Sequence, residues 1–156
     1  MNTRTRIALA TGLLAALPAL ATVTVSFPSP SYTDIGRYGS KEADEVKNDL
    51  ARHIHALDAK YLKPGDNLWV EVIDVDLAGD RVVTGMRDYR VTRGKSDIPT
   101  IVVRYRLERD GKSTSGEDTL KELGYQQSTL QVNAASESLH YEKRLLDNWF
   151  KERFAR

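Results

Sequence analysis

A chain of 156 residues with 23 basic and 22 acidic side chains, 40% hydrophobic residues and no cysteine is too evenly charged to carry an electrostatic footprint for nucleic acid. It also has no thiol for a disulfide, a thiolate nucleophile or a soft metal site. Its stability has to come from a packed apolar core, which its length allows.

The first 21 residues read as a secretory signal peptide. Arg4 and Arg6 form a positive start, and Ile7–Leu17 is apolar but too short to cross a bilayer. Pro18 breaks the run, and Ala19-Leu20-Ala21 offers small residues where a signal peptidase cuts, between Ala21 and Thr22. The alternative is an uncleaved anchor. No cysteine follows the apolar run, so lipid modification there is excluded. Removing 21 of the 156 residues leaves 135, expected to form a single α/β domain over 22–156. Two of the 23 basic residues go with the leader, leaving 21 against 22 acidic and a net charge of −1. The expected location is the periplasm or the exterior, with no stable membrane anchor after cleavage.

Val23, Val25 and Phe27 alternate with Thr24 and Ser26, a strand with one apolar face, stopped by Pro28 and Pro30. A turn-rich connection, 31–39, follows. Ser40 is expected as the N-cap of an amphipathic helix whose apolar residues Ala43, Val46, Leu50, Ile54, Leu57 and Tyr61 recur every three or four positions. Lys63-Pro64-Gly65-Asp66 ends it in a turn. The stretch 68–80 (LWVEVIDVDLAGD) is the central strand. Strict alternation sets Leu68, Val70 and Val72 on one face and Trp69, Ile73, Val75 and Leu77 on the other. Strand, helix and strand in this order predict a right-handed parallel crossover.

Residues 81–99 are expected as an irregular connection. Five basic residues against Asp88 and Asp97 give it an excess of three positive charges, and Gly85 and Gly94 bracket a short run, Arg87–Val91, that has some strand character. Thr100–Glu108 is a clear strand with Ile101, Val103, Tyr105 and Leu107 inward and Arg104 and Arg106 outward. Asp110-Gly111 signals a hairpin, and the polar return strand 112–120 belongs at a sheet edge. Ser136 or Asn133 is expected to cap a last helix carrying Leu139, Leu145, Leu146, Trp149, Phe150 and Phe154 on one face.

Several of these segments together resemble one bacterial family. The leader, VTVSF, DVDLAGD, the proline before TIVVRYRL, GEDTLKELGY and YEKRLLDNWF are similar to an exported domain of unknown function, number three thousand and sixteen. The resemblance covers essentially the whole of 22–156, and is sharpest at Asp74–Asp80 and Tyr141–Phe150. It implies a protein of the Gram-negative envelope and brings no activity, cofactor or catalytic residue. The element order also resembles the N-terminal domain of the Tol–Pal system's periplasmic propeller protein, a fold-level likeness that says nothing of function.

Three constellations could carry function. Asp74, Asp76 and Asp80 with Gly79 imitate the start of a calcium loop, but Ala78 and Gly85 occupy positions that need oxygen ligands. Local hydrogen bonding within the turn competes with ligand or partner contact as their role. Arg87 and Arg90 lie in the basic segment and either pair with this acidic turn or receive an acidic partner. Trp69, on the strand's second face, is the third. His53 and His55 lie about 200° apart around a helix at 3.6 residues per turn and cannot share a metal. No metal ligand, catalytic residue or cofactor motif is assigned, and the question of catalysis stays open.

The expected architecture is a two-layer α/β sandwich: a mixed four-stranded sheet with two helices on one face, in the order β-α-β-β-β-α. The expected function is that of a non-catalytic envelope accessory module with a protein partner. The alternative is a small-ligand or hydrolytic site at the acidic turn 74–80.

Overall fold

A computed structural model of the protein describes residues 20–37, 39–84, 87–91, 98–121 and 139–155, with 80–84 and 87–91 described by their backbone. The expected leader, apart from Leu20 and Ala21, lies outside these residues, as do the expected caps Asn133 and Ser136.

The elements are β1 (Thr22–Ser26), α1 (Ser40–Tyr61), β2 (Asn67–Asp76), β3 (Asp80–Thr84), β4 (Arg87–Val91), β5 (Thr100–Arg109), β6 (Lys112–Lys121) and α2 (His140–Phe154). The main sheet has the order β1-β2-β5-β6. β1 runs parallel to β2, and the β2–β5 and β5–β6 pairs are antiparallel. The parallel pair follows from the crossover through α1, and the antiparallel β5–β6 pair from the Asp110-Gly111 turn. Both turn residues take positive φ, 51° and 72°. This is the mixed sheet with two helices that the sequence predicts, and β6 is at its edge.

Both helices pack on one face. Leu50, Ile54 and Leu57 of α1 and Leu145, Leu146, Trp149, Phe150 and Phe154 of α2 are buried against Leu68, Val70, Val72, Ile101, Val103 and Tyr105 of the sheet. Tyr61 meets Phe150 at 6.1 Å between centroids, and Trp149 stands edge-on to Tyr105 at 5.8 Å. Ser40 is the first helical residue rather than the cap. Gly39, at φ 111°, occupies the cap position with no side-chain cap, and Glu42 turns back to accept from the Gly36 amide at 3.1 Å.

Strict alternation fails in β2, and a bulge is the reason. Val72 pairs with Val103, but Asp74 pairs with Val102, so Ile73 is an extra residue on its strand. Beyond it the phase reverses. Val75 and Leu77, expected beside Trp69, instead join the helix-side core at 0% and 4% exposure. The connection after β1 uses the bulge: the Ser29 hydroxyl donates to the Ile73 carbonyl, and the Asp34 amide donates to the Val75 carbonyl at 3.0 Å. Residues 29–34 thus extend the β1 edge in irregular form.

The segment 81–99 also departs from expectation. Its first part is a two-stranded antiparallel ribbon, β3 with β4, which among the described residues forms a sheet of its own. Short strands with few apolar residues and flanking glycines gave it the composition of a loop.

At the hairpin end of the sheet a buried ion pair fixes three segments at once. The Arg109 guanidinium donates from Nε at 2.9 Å and Nη2 at 2.5 Å to the Asp66 carboxylate, with side-chain exposures of 12% and 3%. Asp66 Oδ2 also accepts from the Lys63 amide at 2.8 Å, and the Asp66 carbonyl accepts from the Thr22 amide at 2.9 Å. Burial pushes the Asp66 carboxyl up, but the Arg109 hydrogen bonds, the Lys63 amide and the Arg109 charge outweigh it and hold the group below its ordinary value.

Gly116 stands opposite Tyr105 in the β5–β6 ladder, and a Cβ there would lie 2.9 Å from Tyr105 Cε1. Tyr105 is held in turn by Trp149 and Phe154. We expect Gly116→Ala to cost about 1–3 kcal/mol by overpacking, read as a lowered denaturant midpoint at unchanged slope. Combining it with Tyr105→Leu should recover part of that cost, whereas strict additivity would count against the contact.

Candidate functional site

The face of the sheet turned away from the helices carries the candidate site. Its residues follow from period-two alternation and the register. One rung reads Thr24, Trp69, Arg106, Ser115 across the four strands; the next reads Ser26, Glu71, Arg104, Glu117; the third reads Thr22, Asn67, Glu108, Ser113. Trp69 is at the centre. The Arg106 guanidinium lies over its ring at 4.1 Å, the geometry of a cation–π contact. Trp69 is only partly buried, and Arg106 is exposed.

Charges on this face are paired, Arg104 across strands and Arg106 along its own strand. Arg104 bridges Glu71 at 3.2 Å and Glu117 at 3.0 Å, and Arg106 Nε is 3.9 Å from Glu108. The Glu117 hydrogen bond, then its charge, pushes the Arg104 guanidinium further up. Each pair is exposed and screened by water, so it adds little to stability. Their effect is geometric, since they hold long side chains flat and extended across the strands.

The acidic turn is differently employed. Both oxygens of Asp74 are engaged by Thr33, Oδ1 accepting from its amide at 2.7 Å and Oδ2 from its hydroxyl at 2.6 Å. Asp76 is half-buried and has interactions of its own. Leu77, Ala78 and Gly79 are buried, and the Ala78 amide donates at 2.7 Å to Glu142 of α2, a carboxylate that is itself 3% exposed. The turn is built into the body of the fold from two sides. Asp80 stands opposite Val91 at the base of the ribbon, and Arg87 and Arg90 oppose Thr84 and Arg81. Their side chains, and the expected pairing of the acidic turn with the basic segment, lie outside the described residues.

Of the six residues the sequence singles out, the structure engages Asp74 in the 28–37 connection and sets Trp69 at the centre of an open face. It brings Arg87 and Arg90 onto one ribbon strand. Glu71, Arg104, Arg106, Glu108 and Glu117 were not singled out. The signal that could have found them is the outward pair Arg104 and Arg106, once its register against Trp69 and Glu71 is known. His53, for which the sequence suggested no partner on its own face, turns its Nε2 to Asp147 of α2 at 3.4 Å.

The comparisons with known proteins are sparse. A family model described as "Protein of unknown function (DUF3016)" matches residues 21–152. No curated protein matches the sequence. Among solved structures, the 2.35 Å crystal structure of a minor lipoprotein from Acinetobacter baumannii is 9% identical, covering 88% of this chain and 97% of that one. Its TM-score is 0.27, a value at which the likeness carries no argument.

Proposed function

We propose that this chain, which belongs to the DUF3016 family of proteins of unknown function, is an exported, non-catalytic accessory module of the cell envelope that docks a protein partner on the sheet face turned away from α1 and α2. The observation that carries the reading is the Trp69–Arg106 stack at the centre of that face, ringed by residues already held in place. Tryptophan and arginine are the residues that most often dominate binding energy at protein interfaces. Export rests on the N-terminal pattern: a positive start, a short apolar run and small residues at Ala19 and Ala21.

Size favours a protein over a small molecule. Three strands of ten residues and one of five, about 4.8 Å apart at about 3.3 Å per residue, make a face on the order of 550 Å², about two thirds of the roughly 800 Å² each partner gives to an ordinary interface. Small-molecule sites are concave, and this face follows the surface of a sheet. The β3–β4 ribbon adds a second contact in this proposal. Its register sets Arg81 opposite Arg90, two basic residues on one rung, a composition suited to an acidic partner. The acidic turn gains no support as a ligand site, because Asp74 is engaged by Thr33 and Ala78 by Glu142.

Photo-crosslinking in living cells tests this. Thr24 and Ser115 are exposed and flank the Trp69–Arg106 rung, so a crosslinking residue at either leaves the stack intact. The expected result is one discrete protein adduct from both positions, weakened by Arg106→Glu, and none from the exposed Arg52 on α1. No adduct from either position, or the same adduct from Arg52, overturns the reading.

A further inference from the structure

Between the last turn of α2 and the β5–β6 turn lies an open cleft of ≈340 Å³, separate from the sheet face described above. Tyr105, Leu107 and Phe154 give it an apolar floor, and all three are otherwise buried. Its rim carries three cations, Arg109, Lys112 and Arg153, against one carboxylate, Asp110.

Two of the cations are held from behind. Arg109 gives Nε and Nη2 to Asp66, and Arg153 gives Nη2 to Asp118 at 2.6 Å. Asp118 is itself fixed by the Trp149 indole N–H at 2.9 Å. A guanidinium has five N–H groups in a rigid fork, so each arginine keeps its Nη1 donors without a protein acceptor among the described residues. Lys112 is exposed and forms no ion pair among them. Counting Asp66, Asp110 and Asp118 against the three cations, the surroundings are neutral overall. An anion there is held by directed hydrogen bonds rather than by surplus positive charge, and a phosphate dianion would bring twice the unmatched charge of a monoanion.

We propose that this cleft binds a carboxylate borne on an apolar group, the apolar body resting on Tyr105, Leu107 and Phe154 and the carboxylate on Lys112 Nζ and the remaining Nη1 donors of Arg109 and Arg153. Two sources share this chemistry: a small organic acid, and the C-terminal residue of a polypeptide. At ≈340 Å³ the cleft is near the lower end of ligand sites and takes one ring or short branched chain.

The test titrates the full-length, isotope-labelled chain with N-acetylphenylalanine, its carboxamide, and a short peptide ending in phenylalanine as acid or amide, followed by amide chemical shifts. Saturable shifts at Leu107, Lys112 and Thr114 are expected with both acids, with affinities in the millimolar range or tighter and the amides weaker by at least about tenfold through loss of charge-assisted hydrogen bonds. Lys112→Glu should weaken binding about tenfold, a change one rim charge commonly makes, and Thr114→Trp should abolish it by filling the cleft. Both substitutions sit at exposed positions. A peptide acid binding about tenfold tighter than the small acid would identify a chain terminus as the ligand, and comparable affinities a free acid. Absence of saturable shifts up to about 10 mM, equal affinity for acid and amide, or indifference to Lys112→Glu overturns the proposal.

Discussion

Arg109→Met should destabilise the protein by about 3–5 kcal/mol, because it strands the buried Asp66 carboxylate without its counter-charge. Asp66 keeps only the Lys63 amide in that variant, and at 3% side-chain exposure it gains little from water. Asp66→Asn should cost somewhat less, since an amide oxygen still accepts from Lys63, but it leaves Arg109 unneutralised. The double variant should cost clearly less than the sum of the two, a coupling read from a double-mutant cycle in denaturant. The pair also sets a pH dependence. The folded carboxyl titrates below its ordinary value, with its partners outweighing burial, so its contribution is complete above the unfolded value of about 3.9. It fades as pH falls from there through the folded value. Asp66→Asn should therefore flatten the stability profile on the acid side, as pH falls below about 4. Both single variants within about 0.5 kcal/mol of the parent would show that the pair is not a structural clamp.

Phe150→Ala is expected to cost about 3–5 kcal/mol, a large share of the 5–15 kcal/mol that holds a typical domain together. Phe150 is 0% exposed and touches rings on both sides, Tyr61 of α1 at 6.1 Å and Trp149 and Phe154 of its own helix at 5.2 Å each. Truncation removes the wedge between the two helices, and the surrounding aromatics are too rigid to close the space. Phe150→Leu keeps most of the volume and should cost no more than about 1.5 kcal/mol. Thermal or denaturant unfolding separates these outcomes. A loss below about 1 kcal/mol for the alanine variant would place the centre of the core elsewhere.

The architecture was legible because its signals are local. Leu50, Ile54 and Leu57 fall at helical spacing, Ile101, Val103, Tyr105 and Leu107 at strand spacing, and Asp110-Gly111 names its own turn. The faces of β2 were legible only as far as Val72. A bulge leaves no mark in composition, so alternation carried through Ile73 sent Val75 and Leu77 to the wrong side. The same error made the second face look like an apolar stripe. With Val75 and Leu77 removed from it, Trp69 stands among charged and hydroxyl side chains. The ion pair between Asp66 and Arg109 was invisible for a different reason: the partners are 43 positions apart, and each looks like an ordinary turn or strand-end residue. Asp74 was singled out as a candidate binding residue, but its partner Thr33 lies 41 positions earlier, which no local pattern shows.

The bulge at Ile73 also bears on how the length of this strand can vary. Without Ile73 the flanking pairs, Val72 with Val103 and Asp74 with Val102, would be consecutive rungs of an uninterrupted ladder. Val75 and Leu77 would keep their places in the core. The extra residue therefore behaves as an insertion that the sheet has absorbed sideways, its carbonyl taken up by Ser29. A chain one residue shorter here would retain the same inward set, with the contacts of the 28–34 connection as the part that must readjust. At this point of β2 the count of residues and the choice of face are uncoupled, so the strand tolerates a change of length that elsewhere in the sheet would turn the core outward.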